Sequence, residues 1–136
     1  MNQIAVYRLF PDKDDHKTVL WASDRVVDML AWYEQKKEKY RGSYWKKLQR
    51  FCEDGFPVWT GDGRPVVSEW NQVFRIGDGS LFRVIGFFAD GRDKEFVAID
   101  AYLKTHQQLN AAERARIEKV GEVRARGLWF RAKHNE

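Results

Sequence analysis

The stretch that decides the fold is VFRIGDGSLFRVIGFFADGRDKEFVAIDAYL, residues 73–103. Its three apolar runs have the length and the β-branched and aromatic content of strands, and they cover residues 73–76, 81–89 and 96–103. Glycine-rich turn sequences separate the runs, and the second of them is Asp90-Gly91, a strong hairpin signal. The pattern therefore predicts a three-stranded antiparallel meander.

Two helices are predicted upstream of the meander. Ser23 is a good N-cap, and Asp24 in the first turn suits the helix dipole. Apolar side chains at helical spacing extend this helix to about residue 40, and Gly42 ends it. Ser43 then caps a second helix that ends at Gly55. The short connection predicts an N-terminal helical hairpin.

The remaining elements lie at the two ends of the chain. The runs Ile4–Phe10 and 18–21 are predicted as strands. Asn110 and Glu113 resemble a capping box, so a last helix begins there and ends at Gly127. We therefore predict an α+β fold with one domain over residues 1–126, in which the meander packs against the hairpin and the last helix, and a C-terminal tail over 127–136.

Composition narrows the class of protein. The chain has 136 residues, enough for a single domain with a core of its own. Its one cysteine, Cys52, excludes an intramolecular disulfide framework and a cysteine-based zinc site. The three histidines lack metal-ligand spacing, and no phosphate loop or dinucleotide fingerprint occurs. We expect no metal, no cofactor, no membrane span and no secretory signal, and hence a cytoplasmic protein.

Positive charge is concentrated in two segments. The net charge is +4, and the excess of lysine and arginine lies between Lys36 and Arg50 and between Lys104 and Lys133. Such a surface attracts phosphate backbones, although basic helices are often only solvated. The cations that we predict to bind RNA are Arg75, Lys46, Lys47, Arg50 and Arg124.

The end of the meander carries a candidate catalytic group. Tyr102, Lys104 and His106 are spaced by two, which places them on one face of an extended chain. If Arg83 of the neighbouring strand joins that face, it brings together a guanidinium, an ammonium, an imidazole and a phenol. This set suits RNA cleavage by the 2′-hydroxyl of the RNA, because that reaction needs a base, an acid and cations on the phosphorane but no metal.

Each of these residues has a structural alternative. Arg75 and Arg83 are also explained as strand residues with carboxylate partners such as Asp78 or Glu95. Lys104 is also explained as a solvated lysine that protects an edge strand, and His106 as a surface histidine of a polar loop. Tyr102 is expected to be half-buried with its hydroxyl at the rim.

The run from residue 73 to residue 124 resembles the RelE/HigB-type toxins, in particular their phage-derived Gp49-like branch. The family strand "xLR" reads Val73-Phe74-Arg75-Ile76 here, and the strand "YRVxYF" reads FRVIGFF from Phe82. The strand ending in "KKT" reads Tyr102-Leu103-Lys104-Thr105, and a glutamate, Glu113, follows early in the next helix. The pair Thr105-His106 is similar to the "GTH" signature of HigB toxins.

The resemblance implies a compact RelE-like fold and the toxin role of a type II toxin–antitoxin system. By position, Arg83 would bind phosphate, Lys104 would be the strand-end cation and His106 the acid or base. The activity would be metal-independent cleavage of mRNA, often on the ribosome, and the partner would be an antitoxin, expected to be of helix-turn-helix type. Two alternatives stay open: a non-catalytic ParE-like inhibitor of DNA gyrase, and a non-toxic phage-derived nucleic-acid-binding protein.

Overall fold

The computed structural model describes residues 3–10, 17–37, 44–55, 66–70, 72–77, 82–89, 94–103 and 111–133. Ten elements follow one another along the chain, in the order β1 (Ile4–Phe10), β2 (Val19–Ser23), α1 (Asp24–Lys37), α2 (Tyr44–Asp54), β3 (Val66–Trp70), β4 (Val73–Gly77), β5 (Phe82–Phe88), β6 (Glu95–Leu103), α3 (Ala111–Arg126) and β7 (Trp129–Ala132). The described elements mix helices with a largely antiparallel sheet, so the predicted α+β class is confirmed.

One seven-stranded sheet runs through the molecule in the order β3-β4-β5-β6-β2-β1-β7. Strands β3 to β6 form an antiparallel meander, which includes the three predicted strands and adds β3 before them. Two pairs are parallel, β2 with β6 and β1 with β7. The sheet is therefore mixed, and the meander joins the N-terminal strands through the β6–β2 pair.

Helices α1 and α2 cover one face of the sheet. Their buried side chains, among them Leu30, Tyr33 and Phe51, pack on one core cluster with residues of β2, β4, β5 and β6. The Tyr33 and Phe82 rings meet edge to face with centroids 4.4 Å apart. Burying such rings removes a large apolar area from water and fixes both helices on the sheet.

The helix arrangement differs from the predicted N-terminal hairpin. The two strands predicted before the helices form and pair with each other as β1 and β2, and both helices pack on the core cluster of the sheet instead of forming a separate hairpin unit. Each helix also has its own attachment to the sheet. At the start of α1, the Ser23 hydroxyl accepts a hydrogen bond from the Val26 amide and donates one to the Ile99 carbonyl of β6. At the end of α2, the Cys52 carbonyl accepts a hydrogen bond from the Thr18 amide. The apolar faces of α1 and α2 indicated that each helix packs against another element. They did not indicate that this element is the sheet.

Helix α3 covers the opposite face. Its buried residues Ile117, Val120 and Val123 pack on a second cluster drawn from β1, β4, β5 and β6. The helix ends as predicted at Gly127, whose φ of +63° is the left-handed conformation that favours glycine. The Gly127 amide donates to the Arg124 carbonyl and the Leu128 amide to the Val123 carbonyl, which is the pairing of a Schellman motif.

The chain beyond α3 extends the sheet. Residues 129–132, which the sequence analysis placed in a C-terminal tail, form β7 beside β1. Four strand spacings separate β5 from β7, about 19 Å in a flat sheet. Yet the Phe87 and Trp129 ring centroids are 5.7 Å apart, so the sheet curls around α3. In the part of the chain that is described, no helix is long and apolar enough to cross a membrane.

Candidate active site

Arg83 and Tyr102 are the two predicted catalytic residues that the structure describes. They lie directly opposite each other in the antiparallel β5–β6 ladder, in the register Arg83↔Tyr102. Directly opposed residues of antiparallel strands point to the same face, and Tyr102 belongs to the core cluster under α3. The two side chains therefore share the α3 face of the sheet, as the sequence analysis required of them.

The Arg83 guanidinium lies over a glycine of the neighbouring strand. Gly77 is the partner of Arg83 on β4, and a Cβ built on Gly77 would lie 3.4 Å from Arg83 Nη1 and 3.6 Å from Cζ. The guanidinium thus lies over a strand position that has no side chain. It is half-buried, and its Nη1 donates a 2.9 Å hydrogen bond to the Phe82 carbonyl. This contact holds the charged group close to the sheet.

Tyr102 is more buried than the sequence analysis expected. Its side chain is 5% exposed, and its hydroxyl donates a 2.6 Å hydrogen bond to Oε2 of Glu113, which is 4% exposed. The hydroxyl therefore bonds to a carboxylate inside the protein and does not stand at an open rim. Glu113 lies in the first turn of α3, so this hydrogen bond ties the end of β6 to the start of α3.

Lys104 and His106, the other two predicted catalytic residues, lie outside the described residues. They belong to the connection between β6 and α3. The Tyr102–Glu113 hydrogen bond joins the two elements that flank this connection.

The predicted RNA-binding residues fall on both faces of the sheet. Arg75 is half-buried on β4, opposite Ile85, which belongs to the cluster under α3. Arg75 therefore shares the face of Arg83. Arg124, in the last turn of α3, is about 16 Å along that helix from Glu113.

The other three cations are on α2, which packs on the opposite face, and they are Lys46, Lys47 and Arg50. One flat RNA-binding surface does not hold all five predicted cations.

The sequence analysis missed a charged network centred on Asp100 of β6. The Asp100 carboxylate accepts three hydrogen bonds: from Arg25 Nε at 3.2 Å, from Arg116 Nη1 at 2.9 Å and from the Ala101 amide at 2.8 Å. Arg116 also lies over the Tyr102 ring, with its Cζ 5.8 Å from the ring centroid. The sequence did contain one signal, since Asp100 is the only charged residue in the apolar strand FVAIDAYL. A buried carboxylate is costly unless it has hydrogen-bond or ion-pair partners, so such partners were to be expected.

Two other chemistries find no support in the described part of the chain. Burial raises the pKa of the Cys52 thiol to about 12, so this thiol is not a nucleophile at neutral pH. Among the described residues, no three histidine, cysteine, aspartate or glutamate side chains group to hold a metal ion.

Comparison with known proteins finds no match among family models, curated proteins or solved structures. The functional argument therefore stands on the residues and geometry of the Arg83–Tyr102 site.

Proposed function

We propose that this protein is a metal-independent endoribonuclease that cleaves mRNA, and that it is the toxin of a type II toxin–antitoxin system. The observation that carries the proposal is the direct opposition of Arg83 and Tyr102 on one face, with the Tyr102 hydroxyl bound to Glu113. The half-buried Arg83 guanidinium thus lies near the end of β6, the strand after which Lys104 and His106 follow in the sequence.

The reaction is a transesterification within the RNA. A base takes the proton of a 2′-hydroxyl, whose oxygen then attacks the neighbouring phosphorus. The bond from phosphorus to the 5′-oxygen breaks, and an acid protonates that oxygen. The products are a 2′,3′-cyclic phosphate and a 5′-hydroxyl. No electron is transferred and no water is consumed.

Each residue has a role that its chemistry fits. Arg83 contacts the non-bridging phosphate oxygens, since a guanidinium binds phosphate through paired N–H groups and stays charged at all relevant pH values. His106 transfers a proton, since an imidazole titrates near neutral pH. Lys104 adds a second cation. Tyr102 and Glu113 are positioning residues, because their hydrogen bond holds the elements on either side of these two residues.

The proposed family and partner follow from the same residues. We place the chain with the RelE/HigB-type toxins on the motifs of the meander, and the observed order of two helices, antiparallel strands and a helix is compatible with that layout. The proposed partners are mRNA, with or without the ribosome, and a cognate antitoxin. A partner that covers the α3 face near Arg83 would block the site.

The direct test uses purified protein and a fluorescent 20-nucleotide RNA in buffer with EDTA. We expect cleavage products that end in a 2′,3′-cyclic phosphate, identified by mass spectrometry. His106→Ala should slow cleavage by about 10²–10⁴-fold, the usual contribution of a general acid or base. Arg83→Gln should slow it by about 10²–10³-fold, through loss of a cation on the developing charge.

Arg126→Gln is the matched control. Arg126 forms an exposed ion pair with Glu122 one turn away on α3, so its loss removes the same charge without touching the site. We expect cleavage within a factor of about two of wild type, because exposed pairs contribute little. If the folded wild-type protein leaves RNA intact in this buffer, and also in the presence of ribosomes in magnesium-containing buffer, the nuclease proposal is refuted.

A further inference from the structure

A cleft lies where β2 ends and α1 begins, beside α3. It is a cavity of about 450 Å³. Three cations line it, Arg25, Arg116 and Lys119, together with the carboxylates of Asp24 and Asp100. The cleft thus holds more positive than negative charge. We call it the Arg25–Arg116 cleft.

The floor of the Arg25–Arg116 cleft is apolar. It is lined by Ile4 of β1, by Ile99 of β6, and by Val120 and Val123 of α3. The two valines and Ile99 are buried members of the second core cluster. A ligand of this cleft therefore needs an apolar or flat body as well as an anionic group.

Asp100 holds the two arginines in place. Its side chain is 16% exposed, whereas the Arg25 and Arg116 side chains are 49% and 41% exposed. The carboxylate already accepts three hydrogen bonds, so it is a fixed anchor behind the guanidinium groups. Each guanidinium carries five N–H donors, more than these contacts use. Arg25 Nη2 also donates to the Ala101 carbonyl at 3.4 Å, and among the described residues the contacts of the two guanidinium groups leave N–H donors that can bind an anion.

Arg116 connects this cleft to the Arg83–Tyr102 site. Its guanidinium lies over the Tyr102 ring while it bonds to Asp100. Asp100 and Tyr102 are two residues apart on β6, about 6.6 Å along the strand, and both face α3. Tyr102 in turn opposes Arg83. Arg116 and Arg83 are thus both neighbours of Tyr102, the first over its ring and the second opposite it in the β5–β6 ladder.

We infer that the Arg25–Arg116 cleft binds the nucleotide next to the one whose phosphate contacts Arg83, an inference that rests on the proposed function. The phosphate is held by Arg25, Arg116 and Lys119, and the nucleoside packs on the apolar floor. Arginine forks and a lysine are the side chains that suit a phosphate, and the floor offers few groups that would select one base. Binding in the cleft is therefore sequence-tolerant.

The test is equilibrium binding of 5′-AMP to the full chain by isothermal titration calorimetry at low salt. Adenosine and inorganic phosphate are titrated separately as the two halves of the probe. We expect one site for 5′-AMP, with a Kd at least about fivefold lower than that of either half, because charge and apolar contact both contribute.

Lys119→Gln removes an exposed cation without touching Asp100, so the fold is retained. It should raise the Kd of 5′-AMP about two- to fivefold, the effect of one solvent-exposed charge. Arg126→Gln makes the same charge change on the same helix outside the cleft and should leave the Kd unchanged. Equal effects of the two variants, or equal affinity for 5′-AMP and phosphate, would overturn the inference.

Cleavage of the 20-nucleotide RNA by the same preparation separates this inference from the proposed function. Cleavage without 5′-AMP binding refutes the nucleotide subsite and leaves the nuclease standing. Binding of 5′-AMP that is weakened by Lys119→Gln, without any cleavage either with or without ribosomes, refutes the nuclease and supports a nucleotide site in the cleft.

Discussion

The hydrogen bond between Tyr102 and Glu113 supports a quantitative prediction for the variant Tyr102→Phe. The bond is 2.6 Å long, and both side chains are at least 95% buried. Phenylalanine keeps the ring and its packing under α3 but removes the O–H donor to the carboxylate. A hydrogen bond to a charged group contributes about 1.5–3 kcal/mol to the free energy of unfolding.

The loss should appear as a lower melting temperature. For a chain of this length each kcal/mol shifts Tm by about 3–5 °C, so Tyr102→Phe should melt about 5–15 °C below wild type. Urea unfolding followed by tryptophan fluorescence gives the free energy directly. The midpoint should fall while the m-value stays constant, since the same surface is exposed.

A double-mutant cycle isolates the pair from the rest of the core. Glu113→Gln keeps an acceptor for the Tyr102 hydroxyl but removes the charge. Combined with Tyr102→Phe, it should show a coupling free energy of about 0.5–3 kcal/mol. If Tyr102→Phe destabilises the protein by less than about 0.5 kcal/mol, the typical effect of a surface change, the hydrogen bond does not tie β6 to α3.

Three further predictions concern other positions. Gly86→Val should prevent soluble expression, because a Cβ at Gly86 would lie 2.0 Å from the Val97 carbonyl oxygen; soluble protein with the wild-type Tm contradicts this. Gly127→Ala should lower the free energy of unfolding in urea by about 1–2 kcal/mol, because the φ of Gly127 is +63°. An unchanged urea midpoint would contradict the left-handed conformation at the end of α3. The Cys52 thiol should resist iodoacetamide in native protein at pH 8 and react after unfolding. Because folding raises its pKa from 9.0 to about 12, its contribution to stability is complete below pH 9 and is lost as pH rises further, which urea midpoints at pH 8 and pH 10 would show.

Local signals in the sequence predicted much of the fold. Ile4–Phe10 has the predicted bounds, and the Ser23 cap and the end of α3 at Gly127 are where the sequence analysis put them. These features depend on a few neighbouring residues: a cap hydroxyl, a left-handed glycine, or a run of β-branched and aromatic side chains. They could be read without knowing the rest of the molecule.

Pairing between distant segments could not be predicted in the same way. The strand β7 has only four residues and no clear alternation, and it exists because the β1 edge is available to it. The parallel β2–β6 pair joins segments more than 70 residues apart. Nothing local in either strand specifies such a partner, and the choice is made by burying both faces of the sheet at once.

In the candidate site, too, the features that depend on distant segments were harder to predict than the local ones. The shared face of Arg83 and Tyr102 was a prediction that depended on register, and the observed ladder has an irregularity between Ile85 and Gly86, close to that pair. The Asp100 network joins β6, α1 and α3, so its arginines had no sequence neighbour to reveal them. The lone aspartate in an apolar strand was its only local mark.

The proposed nuclease cleaves mRNA with residues at the end of the meander. The most direct measurement is induced expression of wild type and of the double variant Arg83→Ala/His106→Ala in a bacterial host, with growth and RNA ends followed together. We expect growth arrest with new 5′-hydroxyl mRNA ends for wild type, and neither for the variant at equal soluble level. Arrest with intact mRNA, or mRNA cleavage that survives in the variant, would contradict it.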